Sequence, residues 1–288
     1  MERRRFIKLS SYGTLLYLAA RHLPSFAQDF KMEEIRNGIG YFTESGGTIG
    51  WFGSPEGWVV IDTQFPHSAG HLIEALKSRD QTFKYLINTH HHGDHTSGNI
   101  LFKDLVSEAY AHENALKNLK TITQDDSKMF YPTQTFSGEQ KLQLGDETLE
   151  LIYQGRGHTD GDAIVHFKQA NIVHMGDLVF NRRFPYIDKS AGAHIGSWIQ
   201  VLEKTKARFD KDTVYIFGHA GENYPVTGTA EDLTAFQHYL QQLLDYVTQG
   251  KKNGKTLEQL LQTTEIPGAP EWKGEGIERS INAAWQEV

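Results

Sequence analysis

The 288-residue sequence contains no cysteine. Without a thiol, neither a disulfide framework nor a thiolate metal ligand can form, so any metal site must use other side chains. A lipid anchor attached through cysteine is excluded for the same reason.

The sequence is also poor in positive charge. Lys and Arg number 29 against 36 Asp and Glu, which gives a formal net charge of −7. Residues 1–27 are the basic part of the chain, so the remainder is more acidic still. No Lys/Arg-rich run is present that could line a groove, so we expect a small-molecule substrate and no nucleic acid.

Long hydrophobic runs are missing as well. The apolar stretch at residues 9–20 is short for a membrane span. Residues 3–8 read Arg-Arg-Arg-Phe-Ile-Lys, which fits the twin-arginine export pattern, and residues 25–27 form a small-x-small cleavage site. We therefore expect residues 1–27 to be a signal peptide read by the twin-arginine export machinery. The mature protein would then be periplasmic or secreted, with no stable membrane anchor.

Histidine, in contrast, is concentrated in one motif. Residues 89–95 read Thr-His-His-His-Gly-Asp-His, which places His90, His92, Asp94 and His95 within six residues. The motif follows an apolar and aromatic run of strand length, and a loop that leaves a strand can aim several side chains at one point. Imidazoles combined with carboxylates suit zinc or another borderline divalent metal. The motif therefore predicts a metal site.

Three later junctions share one form, a short β-type run followed by Gly and then by His or Asp. They are Gly157-His158, Gly176-Asp177 and Gly218-His219. Glycine lets the backbone turn sharply where a strand ends. One such pair alone would favour a structural histidine, but three in a chain that carries the motif above indicate further ligands.

In the order of these motifs, residues 35–250 resemble the metallo-β-lactamase-fold hydrolase superfamily. The family's strand-Asp-Thr element matches residues 59–63, Val-Val-Ile-Asp-Thr. The resemblance implies two zinc ions per chain, with another divalent metal such as iron or manganese as the alternative. By this resemblance, one metal is held by His90, His92 and His158, the second by Asp94, His95 and His219, and Asp177 bridges the two.

This ligand set implies a hydrolytic reaction. Two divalent ions that share a water lower its pKa to near neutrality and supply a hydroxide. Asp94 and Asp177 would remain ionised beside the metals, and Asp177 could orient the nucleophile or accept its proton. Asp62 and Thr89 would fix the ligand rings from behind. Seven ligand-type residues are too many for a closed, four-coordinate structural zinc site.

Candidate substrate contacts lie shortly after Asp177, at residues 181–186, Asn-Arg-Arg-Phe-Pro-Tyr. Arg182 or Arg183 could pair with a substrate carboxylate, with Tyr186 beside them. A solvated basic turn is the other interpretation of this segment. We expect hydrolysis of a small, anionic acyl substrate, which could be an ester, a thioester, a lactone or a lactam.

Other functions within the same fold stay open. A metallo-β-lactamase proper is one, although some antibiotic-degrading members place Cys where this chain has Asp177. An iron-dependent sulfur dioxygenase uses one iron, which the complete second set with His95 and His219 disfavours. Diiron flavoprotein relatives have Glu at the position of His92. A non-catalytic metal-binding protein is disfavoured by the completeness of the ligands. The sequence predicts no particular oligomeric state.

The family fold is an αββα sandwich, in which two mixed sheets pack face to face with helices outside. Short runs separated by Gly-rich turns at residues 35–61 are typical of a β-meander, and strand character resumes in two later runs. The predicted strands are 83–88, 136–144 and 147–153. The predicted helices are 71–78, 99–105, 195–209, 230–247, 256–262 and 276–285.

The domain organisation follows from these boundaries. Residues 28–250 are expected to form the metallo-β-lactamase-like domain, and residues 251–288 a C-terminal helical extension packed on it. A dimer contact or a wall of the substrate pocket is the alternative role of the extension.

The remaining histidines are expected to be structural or superficial. The ring of His91 should point away from the site, because it alternates with two ligands. His166 and His174 should be packed or surface strand residues. The others are expected at the surface, and His194 could line the site: His67, His71, His112, His194 and His238.

Overall fold

β-Branched and aromatic residues favour strands over much of the first half of the chain. The structure, a computed structural model, describes residues 30–77 and 81–288, so the signal predicted at residues 1–27 lies outside it. The strands are β1 (Lys31–Arg36), β2 (Ile39–Thr43), β3 (Ile49–Ser54), β4 (Gly57–Ile61), β5 (Phe83–Ile87), β6 (Glu108–His112), β7 (Gln134–Phe136), β8 (Glu139–Leu144), β9 (Glu147–Ile152), β10 (Ile164–Phe167), β11 (Ile172–His174), β12 (Phe180–Asn181), β13 (Val214–Ile216), β14 (His219–Ala220) and β15 (Thr227–Gly228).

The α-helices are α1 (Pro66–Lys77), α2 (Gly93–Thr96), α3 (Glu113–Ile122), α4 (Ile195–Arg208), α5 (Ala230–Lys252), α6 (Leu257–Leu260) and α7 (Ile277–Glu287). Helix α1 begins five residues before its predicted start because Pro66 suits the first helical position. The α-helix predicted at residues 99–105 is instead a 3₁₀ helix, Ser97–Phe102. Gly98 donates its N–H to the Gln64 carbonyl at 2.9 Å, which holds this tighter turn against the preceding loop.

Two large sheets are present, as predicted. The first has the order β1-β2-β3-β4-β5-β6-β7 and the second the order β15-β13-β11-β10-β9-β8. The first is antiparallel from β1 to β4 and parallel from β4 to β7. In the second sheet only β11 and β13 run in parallel. Both sheets are therefore mixed.

The sheets pack face to face because alternate side chains of each point inward. Phe52 of β3 meets Phe167 of β10 edge to face, with 5.8 Å between ring centroids. The outer face of the second sheet is covered by α4, α5 and α7, and this layer shares one apolar core with it. The architecture is the predicted αββα sandwich.

The last part of the chain belongs to this second core. Trp272 is 2% exposed and stacks on Tyr239 with 5.0 Å between ring centroids. Lys273 forms an isolated parallel bridge with Arg183, in the loop after β12. The Glu287 carboxylate accepts hydrogen bonds from the backbone N–H groups that begin α4. Residues 271–288, which we call the C-terminal segment, are therefore tied to the domain at both ends.

Within the described part of the chain, no helix combines the length and the apolar character that a membrane crossing requires.

Candidate metal centre

The strand pairing explains why distant motifs meet. β4 and β5 are parallel, with Ile61 beside Ile87, so the residues that follow them lie at one edge of the first sheet. β11 and β13 are parallel, with His174 beside Ile216, so the residues that follow them lie at one edge of the second. Because the sheets pack face to face, the loops from these edges converge on one site.

The first ligand cluster contains His90, His92, His158 and Asp177, whose ligand atoms all lie within 4.8 Å of one another. His92 Nδ1 is 3.1 Å from His90 Nε2 and 2.8 Å from His158 Nε2. Asp177 Oδ2 is 3.4 Å from His158 Nε2. Three nitrogens and a carboxylate therefore surround one point.

Hydrogen bonds behind two of these rings indicate which nitrogens carry protons. His158 Nδ1 lies 2.6 Å from the Tyr186 carbonyl oxygen and must donate, which leaves a lone pair on Nε2 of the neutral ring. His92 Nε2 donates to Asp188 Oδ2 at 2.9 Å, which leaves a lone pair on Nδ1. These two lone pairs face each other at 2.8 Å. A cation between them would turn a repulsive contact into a pair of ligand bonds.

His90 has the same arrangement. Thr89 Oγ1 donates to Asp62 Oδ2 at 2.7 Å, so it accepts from Nδ1 of His90 at 3.0 Å. The Nε2 lone pair of His90 then points into the cluster. Three imidazole lone pairs and a carboxylate form a donor set that zinc accepts, so the residues present fit a metal ion.

The second cluster contains Asp94, His95 and His219. His219 Nε2 is 3.2 Å from Asp94 Oδ2 and 3.4 Å from Asp177 Oδ2. His95 Nε2 is 3.0 Å from Asp177 Oδ1, a buried oxygen without a hydrogen-bond partner. The carboxylate of Asp177 therefore contacts both clusters.

The two clusters differ in their charge. Burial lowers the pKa of His90 well below its ordinary value and that of His158 to about 3, so both rings are neutral. Burial also acts to lower the pKa of His95, but the carboxylates of Asp177, Asp62 and Asp94 raise it well above its ordinary value. The second cluster thus has an excess of negative charge that can stabilise either a proton or a metal cation.

Asp62 holds the ligand loop from behind. Its Oδ1 accepts the Thr89 N–H at 2.8 Å, and its Oδ2 accepts from Nδ1 of His95 at 2.7 Å. Asp62 has a φ of +62°, a left-handed conformation that is costly for a residue other than glycine and is often found at functional sites. Asp62 and Thr89 therefore form hydrogen bonds to each other and to the rings of His95 and His90.

Asp188 is a partner of the ligands that the sequence analysis missed. Its Oδ1 accepts the N–H groups of Ser190 and Ala191, and its Oδ2 faces His92. The sequence Asp-Lys-Ser at 188–190 suggests only a cap for a short helix, because the ring that Asp188 orients lies 96 residues earlier.

His91 lies beside Asp188, with its Nε2 3.7 Å from Asp188 Oδ2. His91, His92 and Asp188 are close enough to form a third ligand group. However, His92 Nε2 must carry the hydrogen that it donates to Asp188 while Nδ1 faces the first cluster. This group therefore orients His92, and the His91 ring lies outside the ligand clusters as expected.

Gly176 and Gly218, at the ends of two strands, allow a sharp turn and a close approach of the backbone to Asp177. A Cβ on Gly218 would lie 2.0 Å from Asp177 Oδ1, so no larger residue fits there without displacing the bridging carboxylate. Gly176 has a φ of +50°, the left-handed conformation that the turn before Asp177 requires.

An open cavity of about 460 Å³ lies over the two clusters. Its lining comprises His92, Gly93, Asp94, Asp177, Phe180, Arg183, Phe184, Tyr186, His219, Glu275 and Arg279. Two of the three expected substrate contacts, Arg183 and Tyr186, are in this wall. Glu275 and Arg279 come from the C-terminal segment and had no signal in the sequence beyond their charge.

Arg182 differs from expectation. Its guanidinium pairs with Asp232 at 2.8 Å and lies over the Trp272 ring, 5.2 Å from the centroid, beside the neighbouring cavity. The backbone at Arg182 has a φ of +55°, in the left-handed region, whereas Arg183 lines both this neighbouring cavity and the cavity over the ligands. Arg182 therefore stabilises the wall from behind.

Two of the expected surface histidines have structural roles. His112 is 2% exposed, caps α3 by accepting the Asn114 N–H, and stacks on Tyr153 with 4.0 Å between centroids. His194 caps α4 and lies 3.3 Å from Glu287, away from the cavity lining.

Comparisons with known proteins agree with this geometry. A family model described as the metallo-beta-lactamase superfamily matches residues 43–219. A relative named metallo-beta-lactamase type 2, from Elizabethkingia meningoseptica, is 22% identical over 253 residues, which cover 83% of this chain and 96% of the relative. A relative named 2,4-dinitroanisole O-demethylase subunit alpha, from Nocardioides sp. (strain JS1661), is 30% identical over 128 residues, which cover 43% of this chain and 38% of the relative.

The fold is similar to solved structures. A metallo-beta-lactamase from Pontibacter korlensis superimposes with a TM-score of 0.64 at 21% identity, over 74% of this chain and 99% of the other. The matched region of the family model includes every ligand-type residue of both clusters and ends before the C-terminal segment.

Proposed function

Since the chain belongs to the metallo-beta-lactamase superfamily, we propose that it is a metal-dependent hydrolase that uses two divalent ions, preferably zinc, on a small acyl substrate. The observation that carries the proposal is the convergence of three imidazole lone pairs with the Asp177 carboxylate. Ions bound at the two clusters would activate water and polarise the substrate carbonyl.

The protein's own groups support this chemistry by position. His90, His92 and His158 would hold the first ion, and Asp94, His95 and His219 the second. Asp177 reaches both clusters and is ionised, because neighbouring histidines lower its pKa well below the ordinary value despite burial. It is therefore the group best placed to orient a water molecule or to accept its proton.

The proposed substrate is a small, anionic ester, thioester, lactone or lactam. The cavity is lined by two guanidinium groups and by Tyr186, and it is open on one side. Guanidinium groups favour a carboxylate on the substrate. The proposed ligands line the same open cavity, so a compact acyl group can reach them from solvent.

A metallo-β-lactamase proper is the second candidate. The relative from Elizabethkingia meningoseptica bears that name and aligns with most of this chain. Asp177 disfavours β-lactams as the main substrate, because a carboxylate is a harder ligand than the thiolate that some lactam-degrading members have there. A relative that aligns with 43% of this chain is named for O-demethylation instead.

Metal analysis combined with a chromogenic panel of an ester, a lactone and a cephalosporin tests the proposal. The purified protein should carry close to two zinc ions per chain and hydrolyse the ester or lactone faster than the cephalosporin. His92→Ala should lose metal and activity together, whereas His238→Ala, an exposed histidine on α5, should retain both. Full metal content and rate in His92→Ala would refute the assignment, and faster cephalosporin turnover would favour the second candidate.

We also propose that residues 1–27 direct export by the twin-arginine route. The motif at residues 3–8 carries this proposal. A reporter fused to residues 1–30 should reach the periplasm, and replacing Arg3 and Arg4 with Lys should stop it. Unchanged export of the Lys variant would refute the signal.

A further inference from the structure

The wall of the cavity includes residues from far beyond the last metal ligand. Glu275 and Arg279 line the same cavity as His92 and Asp94. The family match ends at residue 219, so these two residues lie outside the shared region. The C-terminal segment therefore adds to the cavity something that the ligand motifs do not provide.

The ring of Tyr186 lies between Arg279 and the first cluster. The Arg279 guanidinium lies 5.6 Å from the centroid of the Tyr186 ring. The Tyr186 ring centroid is in turn 5.3 Å from that of His92, and the Tyr186 carbonyl accepts from His158. A single residue, Tyr186, therefore contacts Arg279 and the rings of His92 and His158.

The backbone that carries Arg279 is fixed. The next residue, Ser280, is fully buried and donates its hydroxyl to the Pro185 carbonyl at 3.1 Å. Ile281 is also fully buried in the core beneath α4 and α5. The base of the Arg279 side chain is therefore held against the loop that contains Tyr186, although the guanidinium itself is exposed.

The guanidinium groups of Arg183 and Arg279 are available for a ligand. Arg182 is neutralised by Asp232 at 2.8 Å. Among residues 30–77 and 81–288, no carboxylate lies within ion-pairing distance of Arg183 or Arg279. A planar guanidinium can donate two parallel hydrogen bonds to a carboxylate, and both residues line the cavity over the ligands, so each fits an anionic group of a substrate.

We infer that Arg279 is a specificity-determining residue that binds a carboxylate of the substrate while the acyl group lies over the metal clusters, with Arg183 as a second donor. This inference rests on the proposed hydrolase function and names its substrate class as monoanionic esters or lactones. Glu275, in the same wall, disfavours a second negative charge on the substrate.

A matched pair of esters tests this role. Phenyl hydrogen succinate carries a free carboxylate, and phenyl butanoate is a neutral ester of similar length. Arg279→Gln should raise KM about fivefold for the anionic ester, the upper range for one exposed ion pair, and leave KM for the neutral ester unchanged. Glu275→Gln should lower KM for the anionic ester, because it removes a like charge.

Lys273→Gln is the control variant. Lys273 lies in the same segment as Arg279, and its replacement by Gln removes the same positive charge. It lines the neighbouring cavity and is not in the lining of the cavity over the ligands. It should leave the KM values of both esters as they are. Equal changes of KM for the two esters in Arg279→Gln, or the same anionic-ester effect in Lys273→Gln, would overturn the inference.

Equilibrium binding separates this inference from the proposed function. N-Phenylsuccinamate and N-phenylbutanamide are amide analogues of the two esters, and their binding to the metal-loaded protein can be measured by calorimetry. Arg279→Gln should weaken binding of the succinamate alone. If the wild-type protein binds the succinamate through Arg279 but hydrolyses neither ester, the hydrolase proposal fails and the anion site stands. If it hydrolyses both esters and Arg279→Gln changes neither KM nor succinamate binding, the inference fails and the hydrolase proposal stands.

Discussion

The metal centre and the wall of the cavity above it are held in different ways. His95 and His158 are fully buried, and each has its second ring nitrogen fixed by a carboxylate or a carbonyl. Tyr186 in the wall is 42% exposed, and Arg183, Glu275 and Arg279 are exposed as well. Buried, hydrogen-bonded side chains tolerate little change, whereas exposed side chains on a fixed backbone can change with less effect on stability. We therefore expect the first region to control metal binding and the second to control substrate choice.

Asp188 lies between these regions. It orients the half-buried ring of His92, yet it belongs to the loop that continues from Tyr186. The separation of the two functions is therefore expected to be incomplete at this residue.

The largest expected effect on stability concerns Trp272, the buried residue that holds the C-terminal segment against α5. Trp272→Ala removes a buried ring that stacks on Tyr239, and such a truncation costs about 3–5 kcal/mol of unfolding free energy. We expect a lower midpoint in denaturant unfolding and a higher KM for an anionic ester, with the metal stoichiometry retained. Trp285→Ala, at a partly buried site of α7, should cost less. Loss of metal from folded Trp272→Ala would show that the two regions are not separable.

The second prediction concerns His174, a fully buried histidine next to the turn that carries Asp177. Burial lowers the pKa of His174 to about 4, and its ring accepts the Gly176 N–H through Nδ1. As pH falls below about 6.5, the unfolded chain gains a proton that the folded chain excludes. Stability is therefore lost between about pH 6.5 and 4, by roughly 3 kcal/mol from this group.

The pH dependence of unfolding in the chelator-treated protein measures this contribution. His174→Gln should show a shallower loss of stability between about pH 6.5 and 4 than the wild-type protein. His238→Ala, at an exposed position, should retain the wild-type slope. An unchanged slope in His174→Gln would mean that other groups account for the acid sensitivity.

A third prediction concerns the residue between the regions. Asp188→Asn weakens the acceptor that orients His92, and loss of such an outer partner typically costs about 10- to 100-fold in metal affinity. Competition with a chromophoric chelator would measure zinc affinity, and exposed Asp245→Asn should match the wild type. Wild-type affinity in Asp188→Asn would remove its orienting role.

The smallest expected effect distinguishes two adjacent arginines. Arg182→Gln should lower the unfolding free energy by about 1 kcal/mol, because it breaks a partly exposed ion pair and a contact with the Trp272 ring. It should not change the KM ratio of anionic and neutral esters, whereas Arg183→Gln should. A larger effect of Arg182→Gln than of Arg183→Gln on this ratio would contradict the placement of the two side chains.

The ligand clusters and the wall of the cavity also differ in how far the sequence predicts them. The ligand clusters follow strand ends, where an apolar run, a Gly and a His or Asp occur within a few residues, so local patterns indicated them. The sandwich was predicted because the order of these motifs resembles a family and because the strand and helix periodicities agree with it.

The wall could not be predicted in the same way. Arg279 reaches the cavity because Ser280 is bonded to a loop 95 residues earlier in the chain and Ile281 is buried in the core, and no local pattern encodes these contacts. The pairing of Arg182 with Asp232 and Trp272 also has no local pattern, and the left-handed backbone at Arg182 is one that glycine or asparagine would normally signal. The pairing of Asp188 with His92 is equally distant in sequence.

The order of the chain has a consequence for biosynthesis. Every ligand-type side chain has been added once residue 219 is translated, whereas Trp272 and Arg279 follow much later. Chains fold progressively from the N-terminus as they are made. A nascent chain therefore contains every proposed metal ligand before it contains Trp272 and Arg279, and a chain that ended between these points would lack buried residues of the second core as well as the proposed substrate contacts.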